Sequence, residues 1–301
     1  MPRGAIYILT QNERYIDLAL QSMASLKRAM PDLPVTVFSQ FPINSPLVER
    51  VVAVQSTRDG FYDKTRLMQE SPYDRTLFID ADIIVLEPFP ELFSLLDRFD
   101  CAATHEEYVN TDWFNRYPRH DVPSSFPEFN TGILLFKRST QMDVLLKEWE
   151  VLYAKFLEEK PEQQINDQPF FRVALYHSEA RVATLTREYN CKFRGQGYLN
   201  GPVKILHGHI DYQFDSRQFS QATRALNASK TPRVYIAGSV YDQKLTGRLV
   251  GMRKARRIGT FPIFPGSLLV RRAKRLRQIL KEQGLKKILT KLLAEKADSD
   301  R

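Results

Sequence analysis

Thr76-Leu77-Phe78-Ile79-Asp80-Ala81-Asp82-Ile83-Ile84-Val85-Leu86 is an apolar, strand-like run broken by two carboxylates one residue apart. A buried strand gains nothing from aspartates at its centre, because burying an unpaired carboxylate is costly. In an extended chain, side chains at i and i+2 point to the same side, so Asp80 and Asp82 can approach one ion. Hard divalent cations such as Mg²⁺ and Mn²⁺ take carboxylate oxygens. An ion held there can in turn neutralise a diphosphate. The plainer reading of Asp-x-Asp is a turn or a solvated strand end. Here one strand-like run precedes the pair and another follows it. That puts the pair at the carboxyl end of a strand, where open α/β sheets place their ligands.

The pattern on either side is that of such a sheet. Ala5 to Leu9 reads as a first strand, and Asn12 to Ala29 carries Ile16, Leu20, Met23 and Leu26 at helical spacing. Pro31 and Pro34 end that helix. Val35-Thr36-Val37-Phe38 and Val51-Val52-Ala53-Val54 read as further strands. Asp63 to Glu70 and Phe89 to Phe99 read as short helices, Gly132-Ile133-Leu134-Leu135-Phe136 as a late strand, and Met142 to Glu158 as a long amphipathic helix. Strands alternating with helices predict an α/β fold with a mostly parallel sheet.

A chain of 301 residues can bury a sizeable core in one large domain with an appendage. No apolar run approaches the length of a membrane span. The stretch Met1 to Leu9 turns polar too soon for a signal peptide, so the expected location is cytoplasmic. The two cysteines, Cys101 and Cys191, make neither a disulfide framework nor a metal-spacing motif and are expected as buried thiols. The net charge of +9 is unevenly placed: Arg248 to Arg301 hold 16 Lys/Arg and 4 Asp/Glu, a net of +12, which leaves −3 for residues 1–247. The basic character therefore belongs to the tail and says nothing of the body's ligand.

Two segments depart from the pattern. Asn110 to Phe126 has no clean period and reads as a long loop, a lid or a wall on the acceptor side. Its Trp113, Phe114 and Tyr117 can stack on a sugar ring or simply pack the loop down. The tail carries Leu276, Ile279, Leu280, Leu285, Ile288, Leu289, Leu292 and Leu293 in apolar stripes among many lysines and arginines. A basic amphipathic helix reads as binding an anionic membrane surface, with docking on the body or on a second subunit as the alternative. Without aromatic interleaving or a nucleic-acid module, nucleic acid is not an expected partner.

Four further features gather around the aspartates. The loop Leu9-Thr10-Gln11-Asn12-Glu13-Arg14-Tyr15 closes the first strand and can grip a base and ribose. Lys64 precedes the aspartates and can reach a phosphate. Asn130 and Gly132 sit at a strand's mouth within Pro127-Glu128-Phe129-Asn130-Thr131-Gly132. Asn166-Asp167-Gln168-Pro169-Phe170-Phe171 is followed by Leu206-His207-Gly208-His209. In this order, over about residues 5 to 210, the features resemble the GT-A fold glycosyltransferases. They are most similar to the family 8 type that includes glycogenin and bacterial galactosyltransferases.

The resemblance implies a GT-A, Rossmann-like nucleotide-diphospho-sugar transferase fold over residues 1–225, with a nucleotide-sugar half at about 1–100 and an acceptor half at about 101–225. Residues 226–301 are expected as an extension with basic amphipathic helices. It implies a hexosyltransferase that uses a UDP-sugar donor and Mn²⁺, with Mg²⁺ as the alternative, and a glycan or lipid-linked acceptor. Asp80, Asp82 and His207 would be the metal ligands, and a neutral imidazole suits the third place. Leu9, Thr10, Asn12 and Tyr15 would hold the nucleotide, with Lys64 on phosphate or donor sugar and Ala81 between the aspartates. Asn130 and Gly132 would face the donor, with Asp167 and Gln168 as the catalytic pair and Gln168 near the reacting face. Retention of the anomeric configuration follows from the same likeness.

The chain departs from the family after the histidine. The family usually follows it with Gly and then Lys-Pro-Trp, whose lysine contacts the diphosphate, whereas His207-Gly208-His209-Ile210-Asp211-Tyr212 has no such lysine. His209 therefore remains an alternative ligand, and Lys204 lies upstream with no assigned role. An inverting transferase, with Asp167 or Asp211 as base, is the nearest variant. A non-catalytic sugar-nucleotide binder of the same fold is another reading. A nucleotidyltransferase is disfavoured, because the loop after the first strand has no glycine. The oligomeric state is open.

Overall fold

In this computed structural model the described residues are 2–106, 121–163, 165–208, 216–228, 232–236, 238–242 and 256–260. The chain opens with strand β1 (Arg3–Leu9), whose Gly-Ala-Ile-Tyr-Ile-Leu run is almost wholly buried. Helix α1 (Tyr15–Ala29) follows and buries Leu18, Ala19, Met23 and Leu26 on one stripe. Strands β2 (Val35–Ser39) and β3 (Arg50–Ala53) come next. Helix α2 (Gly60–Leu67) starts where the Asp59 carboxylate accepts from the Tyr62 backbone N–H at 2.7 Å. A 3₁₀ turn (Met68–Glu70) leads into β4 (Arg75–Ile79), and β5 (Ile83–Val85) lies just beyond the aspartates. The segment expected as a helix at 89–99 is a 3₁₀ helix, Pro90–Asp97.

The second half supplies β6 (Cys101–His105), β7 (Phe129–Lys137), α3 (Thr140–Glu159), α4 (Gln168–His177) and β8 (Val182–Leu185). Then come β9 (Gln196–Leu199), β10 (Ile205–His207), α5 (Ser216–Asn227), β11 (Arg233–Ile236), β12 (Ser239–Asp242) and β13 (Arg256–Thr260). Helix α3 is capped by Ser139, whose hydroxyl accepts from the Met142 N–H at 3.3 Å. Pro169 sits in the first turn of α4, where its missing N–H costs no hydrogen bond.

The main sheet has seven strands in the order β3-β2-β1-β4-β7-β6-β8. All neighbours are parallel except at β7, which runs against both β4 and β6. The expectation of a mostly parallel sheet holds, and β7 is its one reversed strand. Succession runs outward from β1 through β2 to β3, then jumps back to β4 on the other side of β1. The order thus reverses between β1 and β4, and the carboxyl ends of both strands open on one edge. A crevice at such a reversal is where α/β sheets bind ligands. Because β7 is antiparallel, its amino end, with Asn130, reaches the same edge.

Each face of the sheet is covered. One core gathers Tyr7, Met23, Leu26, Leu77, Ile79, Phe93 and Leu135 under α1. The other gathers Ile6, Phe78, Leu134, Phe136, Trp149, Tyr153 and Phe170 under α2, α3 and α4. Trp149 is fully buried, stacks edge-on with Phe171 at 4.9 Å between ring centroids, and donates its indole N–H to the Asp167 carbonyl at 2.9 Å. Trp149→Ala is expected to cost about 3–5 kcal/mol, read as a shift of the urea unfolding midpoint. A midpoint within error of wild type would show that this face of the core does not hold α4 in place.

A third cluster, including Cys191, Phe193, Leu206, Leu226, Tyr235 and Val240, packs beneath a four-stranded sheet, β13-β12-β11-β9. Helix α5 ends at Asn227, and beyond it strand β11 pairs antiparallel with β9, which joins residues 233–236 to the body as strand. Both cysteines are buried, as expected. Among the described residues no helix is long and apolar enough to cross a membrane. The loop aromatics Trp113, Phe114 and Tyr117, the residues His209 and Asp211, and the tail from 261 on lie outside the described residues.

Candidate active site

Asp80, Ala81 and Asp82 make the turn from β4 to β5, all three half-buried. The Asp80 backbone N–H donates to the Gly132 carbonyl at 2.8 Å, which ties the turn to β7. Strand β5 pairs with β10 so that Ile83 faces His207. This pairing brings His207, more than a hundred residues away in sequence, beside the aspartates. One ligand atom each from Asp80, Asp82 and His207 lies within 4.8 Å of the others, and His207 Nε2 stands 3.5 Å from Asp82 Oδ1.

Gly132 shapes the space between them. A Cβ at this position would lie 2.4 Å from His207 Cε1, 2.8 Å from Asp80 Oδ2 and 3.0 Å from His207 Nε2. The glycine therefore keeps a cradle open between a carboxylate and an imidazole. Two carboxylates and a neutral imidazole are a donor set that suits Mn²⁺ and related divalent ions. Burial holds the His207 pKa below its ordinary value, despite the nearby Asp82 charge, which favours the neutral ring that a metal requires. Burial pushes the Asp80 carboxyl up to about 7; Lys64 pulls it down, and Asp82 and Asp167 push it up further. These residues fit a divalent cation.

Lys64 reaches the same place from α2. Its Nζ is 3.2 Å from Asp167 Oδ2, 3.6 Å from Asp80 Oδ1 and 3.1 Å from Thr131 Oγ1, and it sits 4.9 Å from the centre of the Phe78 ring. Thr131 also donates its hydroxyl to Asp167 Oδ2 at 2.6 Å. Lys64 and Asp167 are both buried, so each ion depends on the other. Lys64→Met is expected to lower stability by about 3–5 kcal/mol, because it strands the Asp167 charge. Wild-type unfolding free energy in the variant would contradict that dependence.

Gln168, at the start of α4, is held at both ends of its amide. Its Oε1 accepts from Asn130 Nδ2 at 2.8 Å, and its Nε2 donates to Glu128 Oε1 at 2.9 Å and to Glu106 Oε2 at 3.1 Å. Lys192 pairs with both Glu106 oxygens at 2.8 and 2.9 Å. Burial pushes the Glu128 carboxyl up to about 7, against the Gln168 N–H that lowers it. Asn130 joins this group to the histidine: its Oδ1 accepts from Asn190 Nδ2 at 2.8 Å, and Asn190 Oδ1 lies 2.8 Å from His207 Nδ1.

The structure thus brings Asp80, Asp82, His207, Lys64, Asn130, Gly132, Asp167 and Gln168 into one connected group. The loop after β1 adjoins it through α2. Thr10 Oγ1 and Gln11 Cγ lie 3.9 and 3.8 Å from where a Gly60 Cβ would be, one helical turn before Lys64. Gln11 adopts φ 68°, its backbone N–H donates to Gln40 Oε1 at 3.1 Å, and its side-chain amide donates to Ser56. Leu9 and Thr10 are buried, Asn12 Oδ1 accepts from the Arg14 N–H at 3.1 Å, and Tyr15 is 37 % exposed. Glu106, Glu128, Thr131, Asn190 and Lys192 are members that sequence reasoning missed. Glu128 and Thr131 had a signal, lying in the same stretch as Asn130 and Gly132.

Comparison with known proteins adds three findings. The sequence profile described as Glycosyl transferase family 8 matches residues 61–218. Glucoside xylosyltransferase 1 of Rattus norvegicus is 24 % identical over 169 residues, covering 48 % of this chain and 38 % of the relative; its Homo sapiens counterpart is 24 % identical over 167 residues with the same coverage. The chain thus spans well under half the length of these curated relatives. Among solved structures, the galactosyltransferase LgtC in complex with donor and acceptor sugar analogs is 16 % identical, covering 74 % of this chain and 96 % of that one, with a TM-score of 0.47. Mouse xyloside xylosyltransferase 1 in its apo form is 15 % identical, covering 70 % and 99 %, with a TM-score of 0.46.

Proposed function

The chain belongs to glycosyl transferase family 8 and has a GT-A fold. From that premise we propose that it transfers a hexose or pentose from a UDP-sugar to a glycan or lipid-linked glycan, with retention at the anomeric carbon. One observation carries the reading. Asp80, Asp82 and His207 converge within 4.8 Å, beside the buried Lys64, at the edge where the strand order reverses.

A Mn²⁺ or Mg²⁺ ion held by Asp80, Asp82 and His207 would supply Lewis-acid stabilisation of the departing diphosphate. Lys64 adds a fixed cation where that charge develops, already oriented by Asp167 and Thr131. Leu9, Thr10, Asn12 and Tyr15 line the nucleotide's side of the crevice. Asp167 and Gln168 orient the donor sugar, with Gln168 at the reacting face. The bond from the anomeric carbon to the phosphate oxygen breaks as the acceptor hydroxyl approaches on the same face. The acceptor oxygen forms the new glycosidic bond, and its proton passes to the departing phosphate. Because the Gln168 amide is bonded at both ends, it is held in place before substrate arrives, which lowers the cost of orienting the sugar.

The test is UDP release from a panel that includes UDP-glucose, UDP-galactose and UDP-xylose, with and without Mn²⁺. Release from one donor that depends on the metal supports the reading. Binding of none of them, with or without metal, would remove it. The anomer of the product, by NMR, separates retention from inversion.

For the partner side, we propose that the basic tail holds the chain on an anionic membrane surface, on the cytoplasmic face, near a lipid-linked acceptor. The support is the net charge of +12 between Arg248 and Arg301 together with the tail's apolar stripes. Deleting residues 268–301 should abolish co-sedimentation with anionic vesicles and leave zwitterionic vesicles unbound as before. Equal binding by the full and shortened chains would refute it.

A further inference from the structure

A side-chain amide can be turned end for end, but a backbone N–H cannot exchange donor for acceptor. Gly132 N–H donates to the side-chain oxygen of Asn130 at 3.1 Å. That contact identifies the oxygen end of Asn130 and turns its NH₂ toward Glu106 Oε2, 2.9 Å away, and Gln168 Oε1, 2.8 Å away. The remaining lone pair on Asn130 Oδ1 faces Asn190 at 2.8 Å, so the Asn190 end there is its NH₂. Asn190 then has only its oxygen for His207, and Nδ1 lies 2.8 Å from it. An amide oxygen accepts, so Nδ1 carries the proton. The lone pair is left on Nε2, the atom 3.5 Å from Asp82 Oδ1 and 3.0 Å from the Cβ that Gly132 lacks.

We propose that Asn190 is a positioning residue that fixes the Nδ1–H tautomer of His207, and that the direction of this amide chain is set by the Gly132 backbone N–H. Asn190 is buried, which keeps water from substituting for its oxygen. The same polarity runs the other way: Asn130 NH₂ fixes the oxygen end of Gln168, whose NH₂ then meets Glu106 and Glu128. A single backbone amide therefore orients both the imidazole and the Gln168 amide. The inference rests on the metal reading for its consequence and on hydrogen-bond chemistry for its geometry. Partners that orient a liganding histidine typically change metal affinity by about 10–100-fold when removed.

The test uses the full chain with ¹⁵N-labelled histidine, free of metal. His207→Gln assigns the resonances in long-range ¹H–¹⁵N correlation spectra. Wild type is expected to show His207 protonated at Nδ1. Asn190→Leu is expected to lose that tautomer. Calorimetry with MnCl₂ should show affinity about 10–100-fold weaker for Asn190→Leu. Two results would overturn the proposal: an Nε2–H tautomer in wild type, or wild-type tautomer and affinity in Asn190→Leu. Wild type with the expected tautomer but no affinity for Mn²⁺ would overturn the metal reading and leave the positioning role standing.

Discussion

Asp80→Ala combined with Asp82→Ala is expected to lower metal-dependent UDP release by about 10³-fold or more, with the fold intact. The two carboxylates are half-buried in a turn between β4 and β5, outside both main cores. Removing them takes away no large apolar contact, and the turn stays tied to β7 through its backbone N–H. It also lifts from the protein the cost of keeping two like charges together. What would be lost is the anchor of the cation proposed to meet the departing diphosphate. Groups aimed at charge developing in the transition state are each worth about 10²–10³-fold. The check is UDP release at saturating donor beside thermal melts of both proteins. Wild-type turnover by the double variant would show that the aspartates hold no catalytic ion.

Gly132→Ala is expected to be nearly as damaging, for a steric reason. The new methyl would stand 2.4 Å from His207 Cε1 and 2.8 Å from Asp80 Oδ2, well inside van der Waals contact. The nearer neighbour cannot yield easily, because the His207 ring is pinned at Nδ1. The methyl therefore fills the cradle that a cation would need. Mn²⁺ affinity should fall by about 100-fold or more, a larger loss than second-hand orientation alone produces. The stability change should stay within the range of a local overpacking, about 1–3 kcal/mol. Calorimetry and urea unfolding read the two effects separately. A Gly132→Ala protein that binds Mn²⁺ as wild type does would mean that the ion sits elsewhere.

Most of the sheet was legible because its strands are apolar runs and its helices carry apolar stripes. Strand β7 shows where that signal ends. Its hydrophobic part, Gly132 to Phe136, reads as strand, yet the strand begins at Phe129. Asn130 and Thr131 are buried through hydrogen bonds to Asn190, Glu106, Lys64 and Asp167, and periodicity of apolar residues cannot register a polar residue buried in that way. The reversed direction of β7 is equally silent in sequence, because parallel and antiparallel neighbours can bury similar runs.

The candidate site divides along the same line. Asp80 and Asp82 could be suspected from spacing alone, since two charges inside an apolar run demand a partner. His207, Asp167 and Gln168 stood out only through the family likeness. Asn190, Glu106 and Lys192 carried no local pattern at all. Asn190 meets Asn130 across 60 positions of sequence, and Lys192 meets Glu106 across 86. Such contacts exist only once β10 lies beside β5 and the segment before it is drawn toward β7.

The divalent cation proposed between Asp80, Asp82 and His207 would hold the nucleotide diphosphate. Anomalous diffraction at the manganese edge, from crystals grown with MnCl₂ and UDP, tests it most directly. One strong peak is expected within bonding distance of all three side chains and of the UDP phosphates. A manganese peak elsewhere, or UDP seated in the crevice with no manganese beside it, would mean that these three residues do not hold the ion.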